Sequence, residues 1–203
     1  MDHADHVRLL RDGVHPSGAG SRPSDDLDDR PSDGIADVGP IGVWADLGAG
    51  EGAFTRALAD LLPAGSVIHA VDKDAQALAE NARSYVRFAS GRETAALVTH
   101  VADFARRHEL ELPPLDGVVM ANSLHFVREK GPVLARVRGM LKPGAPLLLV
   151  EYDADSGNRW VPYPLSFETW KNVAVTNGFS EPRLLDSEPS RFLRRIYSAA
   201  TAR

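Results

Sequence analysis

Between Val43 and Gly52 the chain reads V-W-A-D-L-G-A-G-E-G. A short apolar strand runs through Asp46, passes glycines at alternate positions (Gly48, Gly50 and Gly52), and enters an amphipathic helix at once. Glycine tolerates positive φ and close backbone approach, so a ligand can lie directly on the main chain at the head of that helix. The spacing separates two ligand classes. A dinucleotide turn, G-x-G-x-x-G, sets its third glycine one residue later and seats a phosphate on the helix dipole. Here Asp46 and Glu51 flank the turn, and negative charge at both positions disfavours an anion and favours a ligand carrying an ammonium or a sulfonium.

Strands and helices alternate from this point to the end of the chain, the pattern of a parallel sheet covered on both faces. The strand near 42–47 leads into a helix over about 51–62, with Phe54, Ala57, Leu58 and Leu61 on one stripe. A second strand, 67–71, ends at Asp72, and Asp74 is placed to cap the alanine-rich helix that follows to about Ala89. The third strand, near 95–101, ends in Ala102-Asp103-Phe104, and the fourth, 117–121, runs into Asn122-Ser123-Leu124-His125-Phe126. Pro132 suits the first turn of a helix that directs Val133, Leu134, Val137 and Leu141 inward. The fifth strand, 146–152, is nearly all apolar, as a central parallel strand should be. Ser166 can cap a helix ending at Asn177-Gly178, and strands over about 182–187 and 192–199 close the chain as a hairpin.

The N-terminus reads differently. Residues 3–11 can form one short helix using Val7, Leu9 and Leu10, whereas 15–40 are dominated by Gly, Pro, Ser and Asp and predict a flexible segment. The expected organisation is therefore 1–40, helix plus flexible segment, and 41–203, a single ligand-binding domain. Six aspartates and two arginines between 15 and 40 account for four of the five net negative charges, so the folded part is nearly neutral. That balance argues against a nucleic-acid partner. With no cysteine, disulfides, thiolate metal sites and cysteine nucleophiles are excluded. The absence of a leader pattern or a long apolar run predicts a soluble, cytoplasmic protein without membrane contact.

The D-L-G-A-G-E-G turn resembles motif I of the class I S-adenosylmethionine-dependent methyltransferases. Most of the chain, about 42–200, is similar to that family: the order of elements, the Leu141-Lys142-Pro143-Gly144 turn before a strongly apolar strand, and Gly178-Phe179 followed by a hairpin. The resemblance implies an α/β fold with a doubly wound, seven-stranded, mostly parallel sheet whose last strand is antiparallel, and S-adenosylmethionine as cofactor. It assigns the turn residues Asp46, Gly48, Ala49, Gly50 and Gly52 to that cofactor.

Asp72 ends the second strand, where a carboxylate can accept from both ribose hydroxyls of an adenosine; helix capping is the plainer alternative. Lys73 can lay its stem on one adenine face or simply be solvated. By the resemblance, Asp103 faces the adenine amino group and Phe104 its ring, while Asn122 and Ser123 sit where the transferable methyl is presented. His125 is the candidate base, required only if the acceptor must lose a proton; the alternative is a histidine that packs beside the cofactor and orders its loop. Tyr152, with Trp160 and Tyr163 on the next loop, is a candidate for the acceptor pocket, whereas Phe167 and Trp170, at helical spacing, read as core.

The motif after the fourth strand, N-S-L-H, departs from the N-P-P-Y turn of base- and glutamine-methylating branches, and Asn122 has no acidic neighbour of the kind the magnesium-dependent catechol branch needs. His3 and His6 share a helix face without further ligands, so no metal is expected. The reading is an enzyme that methylates an oxygen, nitrogen or carbon of a small organic molecule by in-line displacement. Its rivals are a non-catalytic S-adenosylmethionine-binding scaffold and an NAD(P)-dependent oxidoreductase.

Overall fold

The apolar runs pair as their alternation requires. A computed structural model describes residues 1–15, 41–106, 110–190 and 192–203. Its elements are α1 (His3–Val14), β1 (Val43–Leu47), α2 (Ala53–Leu61), β2 (Val67–Asp72), α3 (Ala75–Ala89), β3 (Ala96–Val101) and β4 (Gly117–Ala121), then α4 (Lys130–Met140), β5 (Pro146–Tyr152), α5 (Phe167–Thr176), β6 (Arg183–Pro189) and β7 (Arg195–Ala202). The seven strands form one sheet in the order β3-β2-β1-β4-β5-β7-β6. Strands β1 to β5 are parallel, and β7 runs antiparallel between β5 and β6. This is the doubly wound α/β sheet expected from the sequence.

Both faces are packed, and the central strands divide their side chains between them. Val118 and Met120 of β4, with Leu147 and Leu149 of β5, join α4 and α5 through Val133, Leu134, Val137 and Trp170. Val119 and Ala121, with Leu148 and Val150, point the opposite way, into Phe54, Leu58 and Leu61 of α2. Continuous apolar strands of this kind cost nothing in exposure because each face has its own helical layer.

The N-terminal helix runs three residues past the expected 3–11 and packs against the sheet. A capping box between Asp2 and Asp5 starts it, and Leu9 and Leu10 are both fully buried. Gly13 lets it pass close to β5, since a Cβ there would lie 2.4 Å from Leu148 Cδ2. Arg8 pairs with Asp186 and Glu188 on β6. The segment expected to be flexible, 15–40, lies outside the described residues apart from His15.

Where the chain turns back from β3 to place β4 on the far side of β1, the loops after β1 and β4 diverge. An open parallel sheet binds ligands beyond the carboxyl ends of its strands at such a point.

Candidate functional site

A cleft of about 230 Å³ occupies that position, lined by Gly48, Asp72, Lys73, Asp103, Phe104, Asn122, Ser123 and Phe126, among others. Seven of these are residues that the sequence pattern singles out, and they come from the ends of four strands. A larger hollow of about 670 Å³ lies elsewhere, bordered by Trp44, Asp116, Lys142 and Pro143 and remote from the glycine turn.

The turn is built by the three glycines in distinct ways. Gly48 and Ala49 both donate to Val71 O, at 2.8 and 3.0 Å, and Gly52 N closes back on Ala49 O at 2.9 Å. Gly48, at φ 84°, packs so tightly that a Cβ would fall 2.3 Å from Ser123 Cβ. Gly50, at φ 50°, differs: a Cβ would meet nothing within 4 Å. The space beside its Cα is therefore the open part of the turn.

Asp72 Oδ2 accepts from Gly50 N at 2.8 Å and Oδ1 from Asp74 N at 2.9 Å. The cap of α3 is Asp74, whose carboxylate accepts from Gln76 N and Ala77 N. Asp72 is thus free of the capping role while its oxygens border the cleft. Asp46 does not reach the cleft lining; it is 1% exposed and accepts from Thr55 Oγ1 at 2.7 Å. Burial pushes its carboxyl up to about 6; the Thr55 hydroxyl works against that shift and the charge of Asp72 adds to it.

On the opposite wall, Asp103 Oδ1 accepts from Ala105 N at 2.9 Å, and Arg136 on α4 donates to Phe104 O and Ala105 O at 3.1 and 2.6 Å. This clamp holds the Phe104 ring edge within 3.3 Å of where a Gly48 Cβ would be. Asn122 has φ 52°, a conformation that asparagine adopts more readily than most residues, and its buried Oδ1 has no hydrogen-bond partner. A buried acceptor left unpaired at a cleft wall is a place for a ligand donor. Ser123 directs its hydroxyl to Leu47 O at 2.7 Å, which ties the end of β4 to β1.

His125 lies in a 3-10 turn, Leu124–Phe126, and is 3% exposed. Its partner was missed in the sequence: Glu151, fully buried at the end of the apolar strand β5. The Glu151 carboxylate accepts from His125 N at 2.9 Å and from His125 Nδ1 at 3.2 and 3.0 Å, and also from Tyr152 N at 3.2 Å. With Nδ1 donating, the neutral imidazole carries its lone pair on Nε2. The signal available in the sequence was the carboxylate itself, since a buried one requires donors.

The His125 ring touches Phe126, centroids 4.2 Å apart, and meets Tyr152 edge-on at 5.6 Å. Tyr152 is 8% exposed, and burial followed by the nearby Glu151 charge raises its phenol, so the hydroxyl is neutral. Tyr163 N donates to His125 O at 3.0 Å, which joins that loop to the site, whereas Trp160 projects into solvent. Phe167 and Trp170 belong to the core, as their spacing implied. His3 bonds Asp60 and His6 packs at a tilt against Phe54. Among the described residues no group of three or more ligand side chains gathers, and no helix is long and apolar enough to cross a membrane.

A family model of a methyltransferase domain matches residues 45–147. Acetylserotonin O-methyltransferase of Mus musculus is 37% identical over 127 residues, covering 57% of this chain and 29% of that protein. A reducing polyketide synthase of a Penicillium species is 28% identical over 155 residues, 67% of this chain and 6% of that protein. The chain thus spans less than a third of either relative. An arsenic(III) S-adenosylmethionine methyltransferase from Chlamydomonas reinhardtii shares the fold with TM-score 0.63 at 20% identity, over 79% of this chain and 62% of that one. A magnesium protoporphyrin IX methyltransferase from Synechocystis, solved with bound S-adenosylmethionine, does so with TM-score 0.59 at 16% identity, over 81% and 71%.

Proposed function

The chain belongs to the class I S-adenosylmethionine-dependent methyltransferases, and from that premise we propose that it methylates an oxygen, nitrogen or carbon of a small organic molecule whose reacting atom gives up a proton. The observation that carries this reading is the buried His125–Glu151 pair, one residue from Phe126 in the cleft wall.

The residues present fit the cofactor. Gly50 leaves open space where any side chain would intrude, and Asn122 Oδ1 is a buried acceptor awaiting a donor. In this reading Asp72 holds the ribose hydroxyls, Asp103 faces the adenine amino group, and Phe104 and the stem of Lys73 cover the ring. When bound, S-adenosylmethionine supplies a methyl group on a sulfonium, open to displacement by an acceptor aligned behind it.

The protein's own work is then alignment, exclusion of water and removal of one proton. Glu151 fixes the imidazole tautomer through Nδ1, which leaves His125 Nε2 to take the proton from the acceptor. The carboxylate then faces the imidazolium that results, and no metal is required for this step. Phe126, Tyr152 and Tyr163 give the acceptor an apolar, partly aromatic wall. The relatives are named for O-methylation and polyketide synthesis, which supports a small organic acceptor.

Mass spectrometry of small molecules released from the denatured protein tests the cofactor, with S-adenosylhomocysteine or S-adenosylmethionine expected and NAD contradicting it. Once an acceptor is found by transfer of labelled methyl, His125→Gln should retain cofactor affinity and lose roughly 10²-fold in turnover. Near-wild-type turnover would remove the base and leave His125 as a loop-ordering residue.

A further inference from the structure

Beneath the glycine turn lies a buried polar chain that the cofactor contacts described above do not use. Thr55 Oγ1, on α2, donates to Asp46 Oδ2 at 2.7 Å and accepts from Asn81 Nδ2, on α3, at 3.0 Å. Asp46, Thr55 and Asn81 are between 0 and 1% exposed. The polarity of the chain follows from its members. Because the Thr55 oxygen already accepts from an amide, its single proton is directed to Asp46.

The same asparagine braces the far end of the turn. Its Oδ1 makes no hydrogen bond and lies against Gly52, where a Cβ would stand 2.0 Å away. One side chain from α3 therefore touches the residue that closes the turn and, through Thr55, orients the one that opens it.

We propose that Thr55 and Asn81 are positioning residues which keep Asp46 a carboxylate under the turn, and that this buried charge favours the sulfonium cofactor over its uncharged thioether product. The proposal rests on the cofactor reading given above. S-adenosylmethionine and S-adenosylhomocysteine share the adenosine and the amino-acid group and differ by one positive charge at sulfur. A charge shielded from solvent acts over a longer range than an exposed one. Product release is thereby coupled to the loss of the sulfonium.

Among the described residues, no cation is found acting on Asp46. Its neighbours across the sheet are Ala70 on β2 and Val119 on β4, Thr55 faces it from α2, and Asp72 at the end of β2 is the charge that acts on it. Burial raises its carboxyl to about 6, so the charge is present at neutral pH and is lost as pH falls through that value.

The test is the ratio of the two dissociation constants, S-adenosylhomocysteine over S-adenosylmethionine, measured calorimetrically between pH 8 and pH 5. In the wild type the ratio should fall about tenfold on acidification as the carboxylate is protonated. Thr55→Val should move the midpoint of that fall up by about one pH unit, and Thr55→Ser should restore it. A ratio that does not change with pH, or a folded Thr55→Val protein with the wild-type midpoint, would overturn the proposal. If Thr55→Val does not fold, Asp46→Asn decides over the same pH range: the ratio should be low and constant, and a ratio that still falls on acidification overturns the proposal. Failure of both compounds to bind at pH 8 would overturn the cofactor reading and this inference together, whereas binding of both with a constant ratio overturns only this one.

Discussion

Replacing Gly50 by alanine separates ligand space from protein packing more cleanly than any other change in the turn. At φ 50° with nothing within 4 Å of the new Cβ, the only folding cost is the left-handed backbone of an L-residue. That cost is about 1–2 kcal/mol, which lowers the melting temperature by roughly 2–8 °C in a chain of this size. Gly48→Ala carries the same backbone cost at φ 84° and adds a Cβ 2.3 Å from Ser123 Cβ. Ser123 cannot yield freely, because its hydroxyl is bonded to Leu47 O at 2.7 Å. The added overpacking brings the total to about 2–5 kcal/mol. Urea unfolding should therefore show Gly48→Ala well below Gly50→Ala in stability. Calorimetric titration should show the reverse emphasis for Gly50→Ala: a folded protein that has lost at least about tenfold in S-adenosylmethionine affinity, or 1.4 kcal/mol, because the methyl occupies the open side of the turn. Gly50→Ala with wild-type affinity would mean that the ligand does not lie over Gly50. Equal stability of the two variants would refute the packing argument.

Asp72→Ala should weaken S-adenosylmethionine binding by about 1.5–3 kcal/mol in the same titration, the range for hydrogen bonds to a charged acceptor, while α3 keeps its Asp74 cap. Glu151→Ala strands three donors, His125 N, His125 Nδ1 and Tyr152 N, and should cost about 3 kcal/mol or more in denaturant unfolding. Leu10→Ala should cost about 2–5 kcal/mol if α1 is part of the core, whereas Arg8→Ala, whose ion pairs are solvent-screened, should leave the unfolding midpoint nearly unchanged. Tyr163→Ala should raise the KM for the acceptor and leave cofactor affinity unchanged, a split that initial-rate kinetics reads directly.

The strands could be read from the sequence wherever burial on both faces made them continuous apolar runs: β4 and β5 fall at 117–121 and 146–152, as the pattern predicts. Long-range pairing set what local pattern could not. The register of β7 is imposed by β5, from Pro146 opposite Ala202 to Tyr152 opposite Ile196, and this moves the last strand about three residues beyond its expected position, while β6 shifts by only about one or two. The sequence pattern carries α1 only to residue 11, yet the helix continues through Gly13, a residue without a side chain to clash with Leu148. The cleft wall was legible because a parallel sheet gathers its strand ends, so Asp72, Asp103 and Asn122 needed no contact information to be placed together. Asp46 shows the limit of that logic. Its position at a strand end is the same, but its side chain turns inward to Thr55 and away from the cleft lining. Glu151 carries the converse lesson. An apolar strand that ends in a carboxylate demands donors, and β4 is the parallel neighbour of β5, with Ala121 opposite Val150. The loop that leaves β4 must therefore pass beside Glu151, and it carries His125 from 26 residues earlier in the chain. The demand was visible in the sequence, and only the strand order was needed to identify the residue that meets it.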